Sequence, residues 1–241
     1  MYSYDSRVGF SMCDADQKLT INAMVDFFQD AATFQSEDLG VGMSYLFPLN
    51  LMWVINTWQI DVKRYPKCME KIKVVTIPYK FRGFVGYRYF RIESEAGETL
   101  VDANSMWCLL NFETMTPSNA PEKLPEKYGE NAKPEMDYCN GKIRLPENAT
   151  EQEPIVVDSF FLDPNRHVNN GQYVNIAMNY LPEGFVIDRM RAEYRQQAFL
   201  GCTLHPVVGE IGPGVWAIHI NDDNGKPYAA VELTGHVETQ Y

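Results

Sequence analysis

Long apolar runs are missing from this sequence, and cysteine is scarce. No stretch approaches the ~20 apolar residues that a membrane-spanning helix needs. The opening MYSYDSRVGF has no basic segment followed by an apolar one, so we expect neither a membrane span nor a signal peptide. The five cysteines are odd in number and none has CxxC spacing. We therefore expect free thiols and a reducing, cytoplasmic location.

Positive charge is also in short supply. Lys and Arg number 21 against 32 Asp and Glu, which gives a net charge of −11. Phosphate backbones are bound through a basic footprint, so this balance argues against a nucleic-acid partner. No pair of His, Cys or Asp residues has the spacing of metal ligands, so we expect no metal site. Aromatic residues, by contrast, are abundant at 13%, which favours sheets and apolar pockets.

The first half of the chain predicts one helix followed by an antiparallel meander. Thr20 is a favourable N-cap, and Ile21, Met24, Phe28 and Ala31 form an apolar stripe at helical spacing. The segments that follow are rich in aromatic and β-branched residues, as strands are. The predicted strands are LMWVINTWQIDVKRY, EKIKVVTIPYKF, VGYRYFRIES and TLVDANSMWCLLNF.

The same order of elements returns in the second half. NGQYVNIAMNYL predicts a helix, and Asn224-Gly225 favours a type I′ turn between the last two strands. This order indicates an internal duplication, with two unrelated α+β domains as the alternative. The predicted strands are FVIDRMRAEYRQQAF, LHPVVGEIG, VWAIHIND and YAAVELTGHVE.

A proline-rich segment, Glu113 to Pro154, lies between the halves. Proline at such density prevents a continuous strand or helix, and about 40 residues is too long for an ordinary loop in a compact domain. We therefore predict a first unit at residues 1–125, a linker at residues 126–154 and a second unit at residues 155–241.

The polar run DPNRHVNNGQY stands directly before the second helix. Pro164 stiffens this loop, and Asn169 or Asn170 can cap the helix. The exposed N–H groups at the helix start can polarise a carbonyl, while the imidazole of His167 or the carboxylate of Asp163 can activate water. Those are the parts needed to hydrolyse an ester or thioester. The alternative is an Asx-rich loop whose side chains merely satisfy backbone donors.

A resemblance to a known family rests on these residues. FLDPNRHVNNGQYVNIAM resembles the Asp-x-Asn-x-His-Val-Asn-Asn-x-x-Tyr motif of the acyl-acyl-carrier-protein (acyl-ACP) thioesterases of plants and bacteria. The resemblance covers nearly the whole chain. It implies an α+β fold, a tandem double hot dog in which each unit is a curled antiparallel sheet wrapped around a long helix. Further segments similar to the family are WVINTWQIDVKRYPKCMEKI, FRGFVGYRYFRI, GETLVDANSMWCLLNFET and AEYRQQA.

The resemblance also implies a function, the hydrolysis of fatty acyl-ACP thioesters in fatty acid biosynthesis, which needs no cofactor. In that family the acyl chain lies in the N-terminal hot dog, and the chemistry belongs to the C-terminal one. The plant proteins carry Glu-Cys where Gln197-Ala198 stand here. This chain therefore cannot use a cysteine nucleophile at that position, and activated water remains as the attacking group.

The catalytic positions of the family fall on Asp163, Asn165 and His167. We expect Asp163 and His167 to share the base and orienting roles, with the choice between them open. Asn165 would hold the thioester carbonyl or the water, and Gln197 would add a hydrogen bond. The helix start at Asn169 and Asn170 would stabilise the oxyanion.

Expectations for the substrate follow from the same resemblance. Because the carrier protein is acidic, it should dock on a local basic patch. Chain length and the preference for ACP over CoA are not predicted, and both a monomer and a homodimer fit. The candidate walls of the acyl pocket, each with ordinary core packing as its alternative, are Met24, Phe28, Trp53, Ile55, Trp58 and Phe84. The candidate patch residues are Lys63, Arg64, Lys67, Lys71, Lys73, Arg189, Arg191 and Arg195.

Three other functions stay open. Hot dog enoyl-thioester hydratases also carry Asp, Asn and His in one loop, but with one more residue before the histidine than in the present spacing. A hot dog acyl-CoA thioesterase would use the same groups on the thioester of coenzyme A instead of that of the carrier protein. A non-catalytic acyl-binding module is compatible with Gln197-Ala198.

Overall fold

The first helix begins where the sequence predicts. In the computed structural model, which describes residues 1–238, α1 spans Ile21–Asp38. Thr20 is its N-cap, and the Thr20 hydroxyl accepts a hydrogen bond from the Ala23 N–H at 3.2 Å. The predicted stripe is the buried face of the helix, with Met24, Phe28 and Ala31 fully enclosed. Burial of this face against a sheet supplies most of the stability of such a helix.

The chain divides into two compact units, Met1–Tyr138 and Cys139–Tyr241. In the first unit the antiparallel sheet has the strand order β1-β3-β4-β5-β2, with the short β6 paired to β5. The four predicted strands are confirmed as β2 to β5, whereas the edge strand β1 was not predicted. The elements are β1 Tyr2–Arg7, α1, α2 Met43–Leu46, β2 Leu51–Val62, β3 Lys71–Arg82, β4 Val85–Ser94, β5 Thr99–Asn111, β6 Thr116–Pro117 and α3 Lys123–Tyr128.

The core of the first unit is aromatic where α1 meets the sheet. The ring of Phe28 on α1 lies 5.9 Å from that of Trp58 on β2 and 5.1 Å from that of Phe90 on β4. Trp58 and Phe90 are themselves 5.1 Å apart. Burying each of these side chains contributes about 1.5–3 kcal/mol, so the triad anchors α1 to the sheet.

The proline-rich segment is held to each unit in turn. It contains one short helix, α3, while residues 129–149 form no helix or strand. The carbonyl of Asp137 accepts a hydrogen bond from the Gln59 amide at 2.7 Å. A few residues further along the segment, the Gly141 carbonyl accepts a hydrogen bond from Arg191 at 2.7 Å, and the Ile143 N–H donates to Glu193 at 2.9 Å. The hydrogen-bond partners of the segment thus change between Asp137 and Gly141, where the division between Tyr138 and Cys139 also falls.

The second unit has the strand order β9-β12-β11-β10-β7, with β8 also paired to β10. Its helix α4 has 9 residues, half the 18 of α1. The predicted type I′ turn at Asn224-Gly225 is wrong, because Gly225 has positive φ and Asn224 does not. The elements are β7 Thr150–Glu151, β8 Ile155–Val156, α4 Asn170–Met178, β9 Phe185–Tyr194, β10 Thr203–Gly212, β11 Val215–Asn221 and β12 Pro227–Val237.

A tight hairpin leads into α1. The Asp14 N–H donates to the Lys18 carbonyl at 2.9 Å, and the Gln17 N–H donates to the Asp14 carbonyl at 3.1 Å. One carboxylate oxygen of Asp14 accepts the Asp16 N–H at 3.0 Å, which forms an Asx turn. Gln17 takes the left-handed conformation that closes the hairpin, with φ 60°. The aspartate therefore has a purely conformational task here.

Candidate active site

The hairpin before α4 repeats that geometry residue for residue. The Asp163 N–H donates to the His167 carbonyl and the Arg166 N–H to the Asp163 carbonyl, both at 2.9 Å. Asp163 Oδ1 accepts the Asn165 N–H at 2.8 Å, and Arg166 has φ 67°. Pro164 occupies the second position of the turn, where its fixed φ fits. The loop is thus a turn held by two backbone hydrogen bonds and by the bond from the Asn165 N–H to Asp163 Oδ1.

Asp163 and His167 face each other across this turn. Asp163 Oδ2 lies 3.3 Å from His167 Nδ1, and the two side chains are only 16% and 22% exposed. Asn165 points its amide toward the same carboxylate, with Nδ2 at 3.5 Å from Oδ2. Because a carboxylate accepts hydrogen bonds, this arrangement favours the tautomer with the proton on Nδ1 and the lone pair on Nε2.

The two hairpins separate the conformational role of the aspartate from its chemical one. Asp14 and Asp163 both use one oxygen to hold an Asx turn. The position after the left-handed residue is Lys18 in the first unit and His167 in the second. Asp163 therefore fits both the Asx-turn and the catalytic interpretation of the loop. Its Oδ1 accepts a backbone N–H, and its Oδ2 lies beside the His167 imidazole. Sequence reasoning missed this counterpart, although SMCDADQKLTI and FFLDPNRHVNN show the matching spacing.

The start of α4 leaves one backbone donor open. Asn169 is the N-cap; its side chain accepts the Gly171 N–H at 2.8 Å, and its carbonyl accepts the Gln172 N–H at 2.9 Å. Within residues 1–238, the Asn170 N–H has no acceptor. The Asn170 carbonyl is fixed by the Tyr194 hydroxyl at 3.1 Å. The partial positive charge of the helix start is thus concentrated at a single N–H.

The segment with Gln197 and Ala198 runs alongside this loop. His167 pairs with Phe199, and the Val168 N–H donates to the Ala198 carbonyl at 2.9 Å. Ala198 is fully buried. The side chain of Gln197 is partly exposed and forms no hydrogen bond with any residue in the described part of the chain. This pairing brings Gln197 beside the turn while leaving its amide available.

The candidate acyl-pocket residues do not all lie together. Met24, Phe28 and Trp58 are buried between α1 and the sheet of the first unit, and Ile55 is 8% exposed on β2. The others lie elsewhere. Trp53 packs beside a second apolar cluster built on Val41, Leu46, Leu51, Leu109, Leu124 and Tyr128. Phe84 is 40% exposed in the turn between β3 and β4.

Most of the candidate basic residues are engaged with carboxylates. The shortest of these ion pairs, Lys63 with Asp102, measures 2.5 Å, and Arg191 pairs with Glu232 at 2.9 Å. Arg64, Lys71 and Arg195 are paired as well. Lys67 and Lys73 are exposed and form no ion pair among residues 1–238. Among the candidate cations of the first unit, these two lysines are therefore the ones without a carboxylate partner.

Other features of the described residues bear on the site. All five cysteines are free. The sulfur of Cys202 accepts the Phe199 N–H at 3.4 Å. None of the helices in residues 1–238 combines the length and apolar character that crossing a bilayer requires.

A family model matches more than half of this chain. The model, for the acyl-ACP thioesterase N-terminal domain, aligns with residues 1–128. A palmitoyl-acyl carrier protein thioesterase of Arabidopsis thaliana chloroplasts is 24% identical over 200 residues, covering 76% of this chain and 48% of the relative. A protein of the same name from Gossypium hirsutum is 26% identical, with the same coverage. The chain spans about half the length of the curated relatives it matches.

Solved structures share the fold over nearly the entire chain. An acyl-ACP thioesterase from Bacteroides thetaiotaomicron superposes with a TM-score of 0.90 at 19% identity, covering 97% of both chains. A 12:0-ACP thioesterase from Umbellularia californica superposes with a TM-score of 0.87 at 20% identity, covering 98% of this chain and 97% of the other. The predicted α+β tandem hot dog is confirmed.

Proposed function

The chain belongs to the acyl-ACP thioesterase family, and on that premise we propose that it hydrolyses fatty acyl-ACP thioesters to free fatty acid and carrier protein by activated water. The observation that carries the proposal is the contact of 3.3 Å between Asp163 Oδ2 and His167 Nδ1, at the mouth of α4. In this proposal the imidazole supplies the base and the open Asn170 N–H supplies the oxyanion donor, the combination that acyl transfer requires.

In the proposed reaction His167 is the base and Asp163 orients it. The carboxylate holds the Nδ1 proton, so Nε2 takes a proton from water as the water oxygen attacks the thioester carbon. The carbonyl oxygen becomes an oxyanion and accepts the Asn170 N–H. When the intermediate collapses, the C–S bond breaks and His167 returns its proton to the departing thiolate. The products are a fatty acid and the carrier thiol.

Two amides support this reaction in the proposal. Asn165 is held on the turn by its own N–H bond to Asp163, so its side chain is presented from a rigid backbone. It positions the attacking water or the thioester carbonyl. Gln197, whose amide has no partner among residues 1–238, supplies a further hydrogen bond from the neighbouring segment.

A cysteine nucleophile has no place in this proposal. Ala198 offers only a buried methyl group where the plant relatives were expected to carry sulfur. The sulfur of Cys202 is engaged with the Phe199 N–H. The proposed attack by water is consistent with both observations.

For the substrate, we place the acyl chain in the first unit and the carrier on its exposed lysines. Met24, Phe28, Ile55 and Trp58 offer apolar walls under α1. Lys67 and Lys73 offer charge for an acidic carrier, because the remaining candidate cations are largely neutralised by ion pairs.

The deciding experiment is a thiol-release assay with acyl-ACP and acyl-CoA substrates of several lengths. We expect thiol release to be fastest with acyl-ACP. Equal or faster release from acyl-CoA would make the chain an acyl-CoA thioesterase. Loss of the double bond of an enoyl thioester without thiol release would identify a hydratase, and binding without either reaction would identify an acyl-binding module.

A further inference from the structure

A row of polar side chains crosses the helix-facing side of the sheet in the first unit. Arg88 on β4 is directly opposite Ser105 on β5, and Ser105 is directly opposite Trp58 on β2. Residues opposite each other in antiparallel strands share one face of the sheet. That face is covered by α1, because Gln35 bonds to Arg88 and the Phe28 ring packs near Trp58. Such a face is ordinarily apolar.

Arg88 is a buried cation without a counter-charge. It is 7% exposed, and its Nη1 donates to Gln35 Oε1 at 2.5 Å and to Thr76 Oγ1 at 3.1 Å. Its guanidinium carbon lies 5.2 Å from the centre of the Tyr128 ring. These partners are all neutral, and within residues 1–238 no carboxylate forms an ion pair with Arg88. Buried charges are normally paired, so this one calls for an explanation.

Trp58 places an unmet donor in the same row. The residue is 2% exposed, and its indole Nε1 has no hydrogen-bond partner in the described part of the chain. By comparison, the Nε1 of Trp107 donates to Ser105 Oγ at 2.6 Å. A buried N–H without an acceptor is rare in folded proteins, because the desolvated group loses its bond to water.

The neighbouring hydroxyls do not supply an acceptor for the Trp58 N–H. The Tyr128 hydroxyl is bonded to Ser36 at 2.7 Å. Ser105 Oγ takes the Trp107 N–H and lies 3.3 Å from the Arg88 carbonyl. An oxygen brought by a ligand would give the Trp58 N–H an acceptor and the Arg88 guanidinium a further one, whereas a plain hydrocarbon chain would leave the Trp58 N–H unpaired.

We propose that the acyl pocket of the first unit selects acyl chains that carry an oxygen substituent, which accepts hydrogen bonds from the Arg88 guanidinium and the Trp58 indole. This inference rests on the proposed function for the thioester itself and adds the substrate class. A hydroxyl, oxo or carboxylate oxygen has the required chemistry. Selectivity arises because an unsubstituted chain leaves the buried Trp58 N–H with no acceptor and the Arg88 cation with neutral protein partners only.

The test uses the full chain and thioesters matched in chain length. Thiol release is measured for unsubstituted acyl-CoA and for hydroxyacyl-CoA with the hydroxyl at successive positions. We expect kcat/KM for at least one hydroxylated isomer to exceed that of the unsubstituted chain by about tenfold or more. Arg88→Met should abolish this preference, Arg88→Lys should restore part of it, and Trp58→Phe should reduce it. Arg82→Met, the same change at an exposed arginine, should leave it intact.

Binding gives a readout that does not depend on hydrolysis. Titration of His167→Ala with hydroxylated and unsubstituted fatty acids, followed by calorimetry, should show the same preference and its reduction on adding Trp58→Phe. If Arg88→Met does not fold, Arg88→Lys and Trp58→Phe carry the comparison.

Three results would overturn the inference. One is equal kcat/KM and equal affinity for hydroxylated and unsubstituted chains in the native protein. Another is an equal effect of Arg88→Lys on both kinds of chain. The third is that Arg88→Met hydrolyses longer unsubstituted chains than the native protein while its preference for hydroxylated chains is unchanged. That result would make Arg88 the polar end wall of an apolar pocket. Absence of all thiol release would instead refute the proposed function, and the binding titration would still decide the inference.

Discussion

Asp163 uses its two carboxylate oxygens for different partners: Oδ1 accepts the Asn165 N–H at 2.8 Å, and Oδ2 lies 3.3 Å from His167 Nδ1. The first contact is a hydrogen bond that shapes the turn, and in the proposed mechanism the second orients the imidazole. Asp14 in the first unit accepts only backbone N–H groups, those of Asp16 at 3.0 Å and Lys18 at 2.9 Å, both on Oδ1. The chain therefore contains its own control for the function of the aspartate.

Asparagine substitution at these two positions should separate shape from chemistry. Asparagine keeps an oxygen that can hold an Asx turn but loses the negative charge that stabilises the imidazolium. We expect Asp163→Asn to lower kcat for thioester hydrolysis by about 10²- to 10⁴-fold, and Asp14→Asn to leave kcat within a factor of two or so. Steady-state thiol release and the melting temperature of both variants provide the measurement. Similar losses of kcat in the two variants would show that the turn, not the carboxylate–imidazole pair, limits the reaction.

The N-caps of the two helices allow a second matched comparison. Asn169→Ala and Thr20→Ala each remove a capping acceptor, so both should lower the free energy of unfolding by about 1 kcal/mol. Only Asn169→Ala should also lower kcat, because it frees the Gly171 N–H and disturbs the N–H of Asn170. Denaturant unfolding and thiol release measure the two effects. An Asn169→Ala variant with lost stability and native kcat would remove the helix start from the proposed mechanism.

His219 should make the stability of the protein depend on pH. Burial lowers the pKa of His219 from its ordinary 6.5, and its Nε2 lies 3.2 Å from the Ile143 carbonyl. The unfolded chain therefore takes up the proton first as the pH falls. Stability should be complete above pH 6.5, decline below it and level off below the folded-state pKa.

Glutamine at position 219 keeps a donor for the Ile143 carbonyl but does not titrate. Melting temperatures measured through the acid range should therefore decline less steeply in His219→Gln than in the native protein. His205→Gln serves as the control, since His205 is exposed and pairs with the exposed Asp223. Parallel melting curves for native protein and His219→Gln across this range would contradict the prediction.

Charge reversal at the free lysines should act on the carrier and spare the chemistry. We expect Lys67→Glu with Lys73→Glu to raise KM for acyl-ACP several-fold, more at low salt than at high salt, because attraction to an acidic partner is screened by ions. KM for a small acyl thioester should stay the same. Lys142→Glu makes the same change at an exposed lysine outside the set. An equal rise of KM for both substrates, or an equal effect of Lys142→Glu, would refute the docking surface.

Much of the fold was predictable because it follows from local patterns. The cap at Thr20, the stripe through Met24 and Phe28, and the strands β2 to β5 are all encoded within a few residues of where they act. The edge strand β1 was missed because YSYDSR is polar and short, and only its pairing with β3 makes it a strand. The turn at Gly225 was misjudged because turn type depends on the strands that close it.

The sequence by itself determined the family motif, the duplicated order of elements and the residues of the candidate site, since each is a matter of spacing along the chain. Only the tertiary structure decided which oxygen of Asp163 meets His167, which N–H of α4 stays open, and that Arg88 and Trp58 share one buried face. Those relationships join residues by cross-strand register and side-chain direction, and neither is written in the local sequence.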